Sequence, residues 1–272
     1  VDEALNEGVV ARDLTNLTFA SQVDSRVADV PHDRLVFDEQ KTRKSRSHAC
    51  QFDMGIDGVS CRHVDRLMAV DAPDVGLVSS PPIGTEAQGI WGELEAAFLN
   101  GNQARLQLAA DELGQGFAQG KTLIWQRDVL ERAGGLAALG RTLAEDVAAT
   151  KVVRGSGLKV RLARVPFAQP IGRRDLAAVW ARQLRWSKVR RDGFPALFML
   201  EPLNGALVPV LLAGVALGPA GGLGVAILHY GAELALCHRA GWPVGRWTLP
   251  AMVMRDLMVP LLWVATFARR GF

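Results

Sequence analysis

"ARQLRWSKVRRDGFPALFMLEPLNGALVPVLLAGVALG", residues 181–218, changes character halfway along. Its first part crowds Arg182, Arg185, Lys188, Arg190 and Arg191 around Gln183 and Trp186. Its second part, Phe194–Gly218, carries a single charge, Glu201. A run of about 20 apolar residues is what a helix needs to cross a bilayer. The junction therefore reads as the place where a water-exposed domain, 1–193, meets a membrane domain, 194–272.

Two further apolar runs follow, Ala220–Cys237 and Leu249–Phe267, so the membrane domain is expected to hold about three hydrophobic helices. The third run has Arg255 and Asp256 side by side at its middle. Charges there are costly unless paired or facing protein or water. That run is either a crossing helix with a buried pair or an interfacial or re-entrant piece. Orientation follows from the basic residues. Lys151–Asp192 holds twelve Lys/Arg against two Asp, and positive flanks stay on the cytoplasmic side. Arg239 and Arg246 agree with that placement. Arg269 and Arg270 disagree if all three runs cross. The expectation is an integral membrane protein whose larger domain is cytoplasmic.

The totals are less informative than this pattern. The chain has 272 residues, a net charge of +3 and a mean hydropathy of +0.12. Cys50, Cys61 and Cys237 have neither disulfide-framework nor metal spacing, which fits a reducing compartment. The opening "VDEALNEGVV" (1–10) lacks the basic and apolar regions of a signal peptide. The apolar runs show no internal repeat, which argues against a small transporter. The basic stretch is tied to a span and carries no recognised module, which argues against nucleic acid as a partner.

Residues 1–193 read as α/β. "RLVF" (34–37), "VGLVSS" (75–80) and "TLIW" (122–125) have the short apolar form of strands. Glu86–Glu112, Arg127–Leu139 and Thr142–Arg154 read as helices, the last stopped by "GSG" (155–157). Alternation of this kind argues for a layered domain.

Four places can carry chemistry. "LAEDVAAT" (143–150) sets Glu145 and Asp146 at a helix start, where the dipole favours a carboxylate. An acid there can serve as a general base, or it is simply a solvated helix face. "QFDMGIDG" (51–58) offers Asp53 and Asp57, which can hold a hard cation such as Mg or Mn, or mark a turn beside Gly. "GFAQGKTLIW" (116–125) has Gly116 and Gly120 to let backbone approach a ligand and Lys121 to meet an anion. It is not a P-loop, because its spacing is one residue short and a strand follows. In "RRDLAAVWARQLRWSKVRR" (173–191), helical spacing gathers Val179, Gln183 and Trp186 on one face, with Arg182 and Arg185 beside it. That face is either a helix seated on anionic lipid or a diphosphate clamp, for which Arg has the forked geometry.

Together these motifs resemble the family-21 glycosyltransferases, the ceramide glucosyltransferases and their bacterial, hopanoid-associated relatives. The family's signature is three separated aspartates followed by (Q/R)-x-x-R-W. Gln183-Leu184-Arg185-Trp186 matches the last motif, thirty-seven residues after "AED", which ends in Asp146. "FDMGI" is similar to the stretch around the second aspartate and puts Asp53 there. "GIWGELEAAFLNGNQAR" (89–105), "LEPLNGAL", "YGAELAL" and "RDLMVPLLW" are also similar to the family.

The resemblance implies a GT-A fold, Rossmann-like with a mostly parallel sheet, followed by transmembrane helices. It places the first aspartate and an anchor helix upstream of Val1, leaving the nucleotide half N-terminally incomplete. It implies an inverting transfer from a UDP-sugar to a lipid hydroxyl in a bacterial inner membrane. Asp146 is then the base, and Asp53 a ligand of a divalent cation. Gln183, Arg185 and Trp186 bind substrate together with Gly120, Lys121 and Glu145. A member of the family that binds lipid or a partner without transferring sugar is the other class the sequence allows.

Overall fold

The computed structural model describes residues 34–38, 67, 69–119, 122–135 and 145–268. It divides into two compact units that do not follow chain order. One comprises Val1–Pro81 and Gln107–Phe167, the other Pro82–Leu106 and Ala168–Phe272. The residues around the QxxRW motif thus share a unit with the apolar C-terminal helices.

The first unit is built on four strands, β1 (Arg34–Asp38), β2 (Val75–Ser79), β4 (Thr122–Gln126) and β5 (Lys159–Leu162), in the order β1-β4-β2-β5. The three strands expected from short apolar runs are all present. Among the described residues the sheet is mixed. β2 runs parallel to β5, while β4 is antiparallel to both β1 and β2. β2 is buried along its whole length, as befits a strand covered on both faces. Side chains alternate between the faces. Leu77 and Trp125 pack with Val129, Ala149, Val153 and Val160 on one side. Val78 and Ile124 pack with Leu67, Ala163 and Phe167 on the other. Fully burying a side chain of this kind contributes about 1.5–3 kcal/mol.

Two described helices flank this sheet, α3 (Arg127–Arg132) and α4 (Glu145–Gly155). α4 lies close on β2, since a Cβ at Gly76 would come within 2.9 Å of Val153 Cγ1. It stops where expected. Gly157 takes φ +74°, a backbone that glycine adopts without strain.

The second unit contains β3 (Pro82–Gln88) paired with β6 (Phe167–Arg173). The chain from Gly89 to Glu112 is helical but not uniform. α1 (Gly89–Ala97) gives way to a π-helical stretch, Phe98–Ala104, before α2 (Arg105–Glu112). α5 (Leu176–Gly193) begins at Asp175, whose carboxylate accepts the Ala178 N–H at 2.7 Å. An N-cap of this sort is worth about 1 kcal/mol.

The C-terminal helices correct the expectation of three spans. Phe194–Gly218 is not one helix. It divides into α6 (Pro195–Met199), a 3-10 turn (Glu201–Leu203) and the start of α7 (Leu207–Arg239). α7 breaks at Gly218, with φ +76°, followed by Pro219. An unbroken helix would hold residues 210 and 222 about 18 Å apart. Instead a Cβ at Gly222 would lie 3.1 Å from the Val210 carbonyl oxygen, so the chain folds back. The first leg, 207–217, is about 16 Å long, half a bilayer's hydrocarbon thickness. Among the described residues, α7 taken whole and α8 (Thr248–Ala268) have the length and composition to cross a membrane. The second leg of α7 and α8 correspond to the second and third expected spans.

Candidate functional site

Asp146 stands in the first turn of α4, half-buried, with Oδ1 accepting the Val147 N–H at 2.8 Å. Glu145 beside it is exposed. One turn on, the Thr150 hydroxyl donates to the Asp146 carbonyl and accepts the Ala118 N–H, both at 2.9 Å. The next residue of that loop, Gln119, exchanges two 3.0 Å bonds with Ser79 Oγ, one from its N–H and one to its carbonyl. Ser79 ends β2. A chain of hydrogen bonds therefore fixes the acid of "AED" to the carboxyl end of a parallel strand, where open α/β sheets bind ligands.

Gly116 has a different role from the one its spacing implied. A Cβ there would strike the Val160 carbonyl and approach Asp111 Oδ1 at 2.7 Å. The glycine admits protein backbone, not a ligand. Asp111 lies 3.1 Å from Arg161, yet burial outweighs that cation and pushes its carboxyl above the ordinary range. Gly120, Lys121 and Asp53 lie outside the described residues. Among those described, no three His, Cys, Asp or Glu side chains converge to hold a metal ion.

The QxxRW residues part company on α5. Gln183 is 1% exposed; its Nε2 donates to Glu95 Oε2 and its Oε1 accepts from Gln103 Nε2, both at 3.5 Å. Trp186 packs against Ala96, Leu99 and Ile171, with the Arg182 guanidinium 5.7 Å above its ring. Arg182 also meets Glu95 at 3.0 Å. Arg185 projects from the exposed side. So Val179, Gln183 and Trp186 do share a face, and that face is turned to protein. Of the motif, Arg185 is the side chain presented outward.

The π-helical stretch explains what "FLNGNQA" is for, which the sequence reading matched by resemblance without giving it a role. Along it, four consecutive residues each meet a different part of the unit. Asn100 accepts the Gly84 N–H at 2.7 Å and donates to its carbonyl at 3.3 Å. Gly101 leaves room for Arg255 and Glu233, which a Cβ would strike. Asn102 bonds Asn204, and Gln103 meets Gln183. π segments of this kind are frequent at functional sites.

The remaining family-like blocks converge on one ion cluster. Arg255 is 1% exposed and reaches Glu233 through Nη1 at 2.5 Å and Nη2 at 2.9 Å. Its Nε donates to Asp256 at 2.8 Å. Asp256 Oδ2 accepts the Ala206 N–H at 2.9 Å and the Tyr230 hydroxyl at 3.2 Å. Arg105 stands 3.6 Å from Glu233. The charged pair in the third run is thus buried and paired, which offsets the cost of placing those charges in an apolar helix. Sequence spacing alone could not find Glu233, because its partner is 22 residues away on another helix.

An α/β layer with an acid fixed at a strand end, in a chain that also carries apolar helices, fits a membrane-associated transferase. The model of Glycosyl transferase family 21 matches residues 58–272. That is most of the chain, and the chain belongs to this family. The fold is accordingly a GT-A-like α/β domain with C-terminal apolar helices that are candidate membrane spans. Family membership implies a sugar donor and an acceptor.

Proposed function

We propose that the protein transfers a hexose from a UDP-sugar to the hydroxyl of a membrane lipid, such as ceramide, diacylglycerol or a hopanoid, on the cytoplasmic face. The observation that carries this reading is the position of Asp146 within the family match, fixed through Thr150 to the end of β2. Asp146 takes the proton of the attacking lipid hydroxyl. The freed oxygen bonds to the anomeric carbon from the face opposite the diphosphate, whose bond to that carbon breaks, and UDP leaves with the electron pair. Inversion follows from the single displacement.

Arg185, outward on α5, meets the charge that develops on the leaving diphosphate. Gln183 and Trp186 hold the helix in place by their packing. Glu145, Gly120 and Lys121 complete the substrate side. A divalent cation with Asp53 among its ligands would neutralise diphosphate charge. Apolar helices that retain a lipid acceptor supply proximity, an effect that in well-oriented systems is large.

The test incubates membranes containing the chain with labelled UDP-glucose, UDP-galactose or UDP-N-acetylglucosamine and examines the lipid extract. Labelled glycolipid that disappears with Asp146→Asn is expected. No label from any donor, or label indifferent to Asp146→Asn, overturns the reading and leaves a lipid- or partner-binding protein. Chelation that leaves the transfer rate unchanged removes the cation from it.

A further inference from the structure

The second unit contains a cavity of about 200 Å³ whose lining includes none of the residues assigned to the reaction above. Its walls come from β3, α1, the π stretch and the segments around Cys237 and Thr248. Two carboxylates line it, Glu86 and Glu93, with Asn100, Cys237 and Thr248, and the rest is apolar or backbone. No lysine, arginine or histidine is in the lining.

Glu93 is the polar feature that points inward. It sits half-buried on α1, where Thr248 Oγ1 donates to Oε2 at 3.2 Å. Among the described residues no cation pairs with it, and Oε1 lies against Gly245, where an added Cβ would sit at a tight 3.2 Å. Burial lifts its carboxyl above the ordinary range. Glu86 stands at the exposed rim with φ +53°, a strained backbone for a non-glycine residue. Behind the cavity, Gly101 borders both the lining and the Glu233–Arg255 pair, so the ion cluster backs its wall.

The lining includes Cys237, near the end of α7, and Thr248, at the start of α8. Val244 also lines the cavity and is 49% exposed, and Trp247 and Leu249 nearby are 39% and 44% exposed. A ligand can therefore place a polar end inside and an apolar chain against these residues. The volume equals that of roughly six or seven waters, enough for a small polar head but not for a whole lipid. Acids without cations repel phosphate and carboxylate and accept hydrogen bonds from hydroxyls.

We infer that this cavity binds the uncharged, hydroxyl-bearing head of a membrane lipid, with Glu93 accepting its hydroxyl and Val244 marking where the chain leaves. The inference rests on the proposed lipid acceptor and adds a site and a charge selectivity to it.

The experiment uses the full chain in phosphatidylcholine nanodiscs. The probes are a diacylglycerol with a diazirine in one acyl chain near the ester, and a phosphatidic acid with the same chains. Diacylglycerol is expected to label peptides covering 93–101 or 243–252, and phosphatidic acid to label them about fivefold less. Glu93→Met, and Val244→Trp at the exposed mouth, each lower that labelling about fivefold without changing labelling elsewhere. Equal labelling by both probes, no labelling of those peptides, or labelling indifferent to both variants overturns the site. Because labelling needs no transfer, the two readings fail separately. A labelled cavity in a chain that makes no glycolipid removes the transferase reading alone. Glycolipid synthesis with cavity labelling unaffected by the variants removes this site alone.

Discussion

The two units solve the problem of an interior in opposite ways. In the first, the layers around β2 and β4 are Leu77, Val78, Ile124, Trp125 and Val153, and polar contacts gather at the strand end beside Asp146. In the second, Glu233, Arg255 and Asp256 are each at most 3% exposed in the middle of helices that are otherwise apolar. The difference teaches where each unit can tolerate change. The first holds Asp146, the proposed base, at the margin of a dry core, so that residue can be altered with the core intact. The second has made its charges part of the core, so removing one exposes the cost of burying the others.

That contrast can be broken most sharply at Asp146. Asp146→Asn is expected to lower glycolipid formation by about two to four powers of ten with the melting temperature unchanged. Loss of fold instead would make the residue structural. In the other unit, Arg255→Leu should cost about 3–5 kcal/mol in denaturant unfolding, because Glu233 and Asp256 stay buried without their cation. Glu233→Leu together with Arg255→Leu should recover much of that loss. A single variant that costs under about 1 kcal/mol would mean the cluster is solvated and the contrast is false. Smaller still, Thr150→Val strands the Ala118 N–H, a loss of about 1–3 kcal/mol, with a fall in transfer rate because the Asp146 turn loosens.

The smallest effect is a pH slope from Asp111. Its carboxyl is raised in the fold by burial, so the folded state holds the proton more tightly than the unfolded chain. The associated stability is present below about pH 4 and is lost as pH rises through the folded value. Asp111→Asn should flatten the decline in melting temperature above pH 4. An equal slope in both proteins would sink this assignment.

Much of the first unit was legible because its strands obey simple rules. "VGLVSS" and "TLIW" are apolar runs of strand length, and "GSG" stops α4 where glycine was needed. β3 ("PIGTEAQ"), β5 ("KVRL") and β6 ("FAQPIGR") were not legible, because proline, glycine or charge breaks the apolar pattern. The π stretch was hidden for a related reason. A wider local turn shifts the helical period over only seven residues. The first apolar run misled through its average. Its "EPLNG" already contained turn residues. The structure uses them to let Ala206 reach Asp256, with Gly205 at φ +100°. Of the candidate site, helical spacing correctly grouped Val179, Gln183 and Trp186. It could not say that their face looks inward, since a buried amide and a ligand-binding amide have the same spacing.

The 22 residues between Glu233 and Arg255 also impose an order on biosynthesis. Helix 219–239 is synthesised before α8, carrying an acid that has Arg105 at 3.6 Å but still lacks Arg255, its closer, two-nitrogen partner. Until α8 follows, that helix is a poor substrate for membrane insertion. Release from the insertion machinery is then expected to wait for Arg255. Nascent chains stalled before residue 248 should crosslink to that machinery longer than chains stalled after residue 268. Equal crosslinking lifetimes would show that Glu233 needs no partner during insertion.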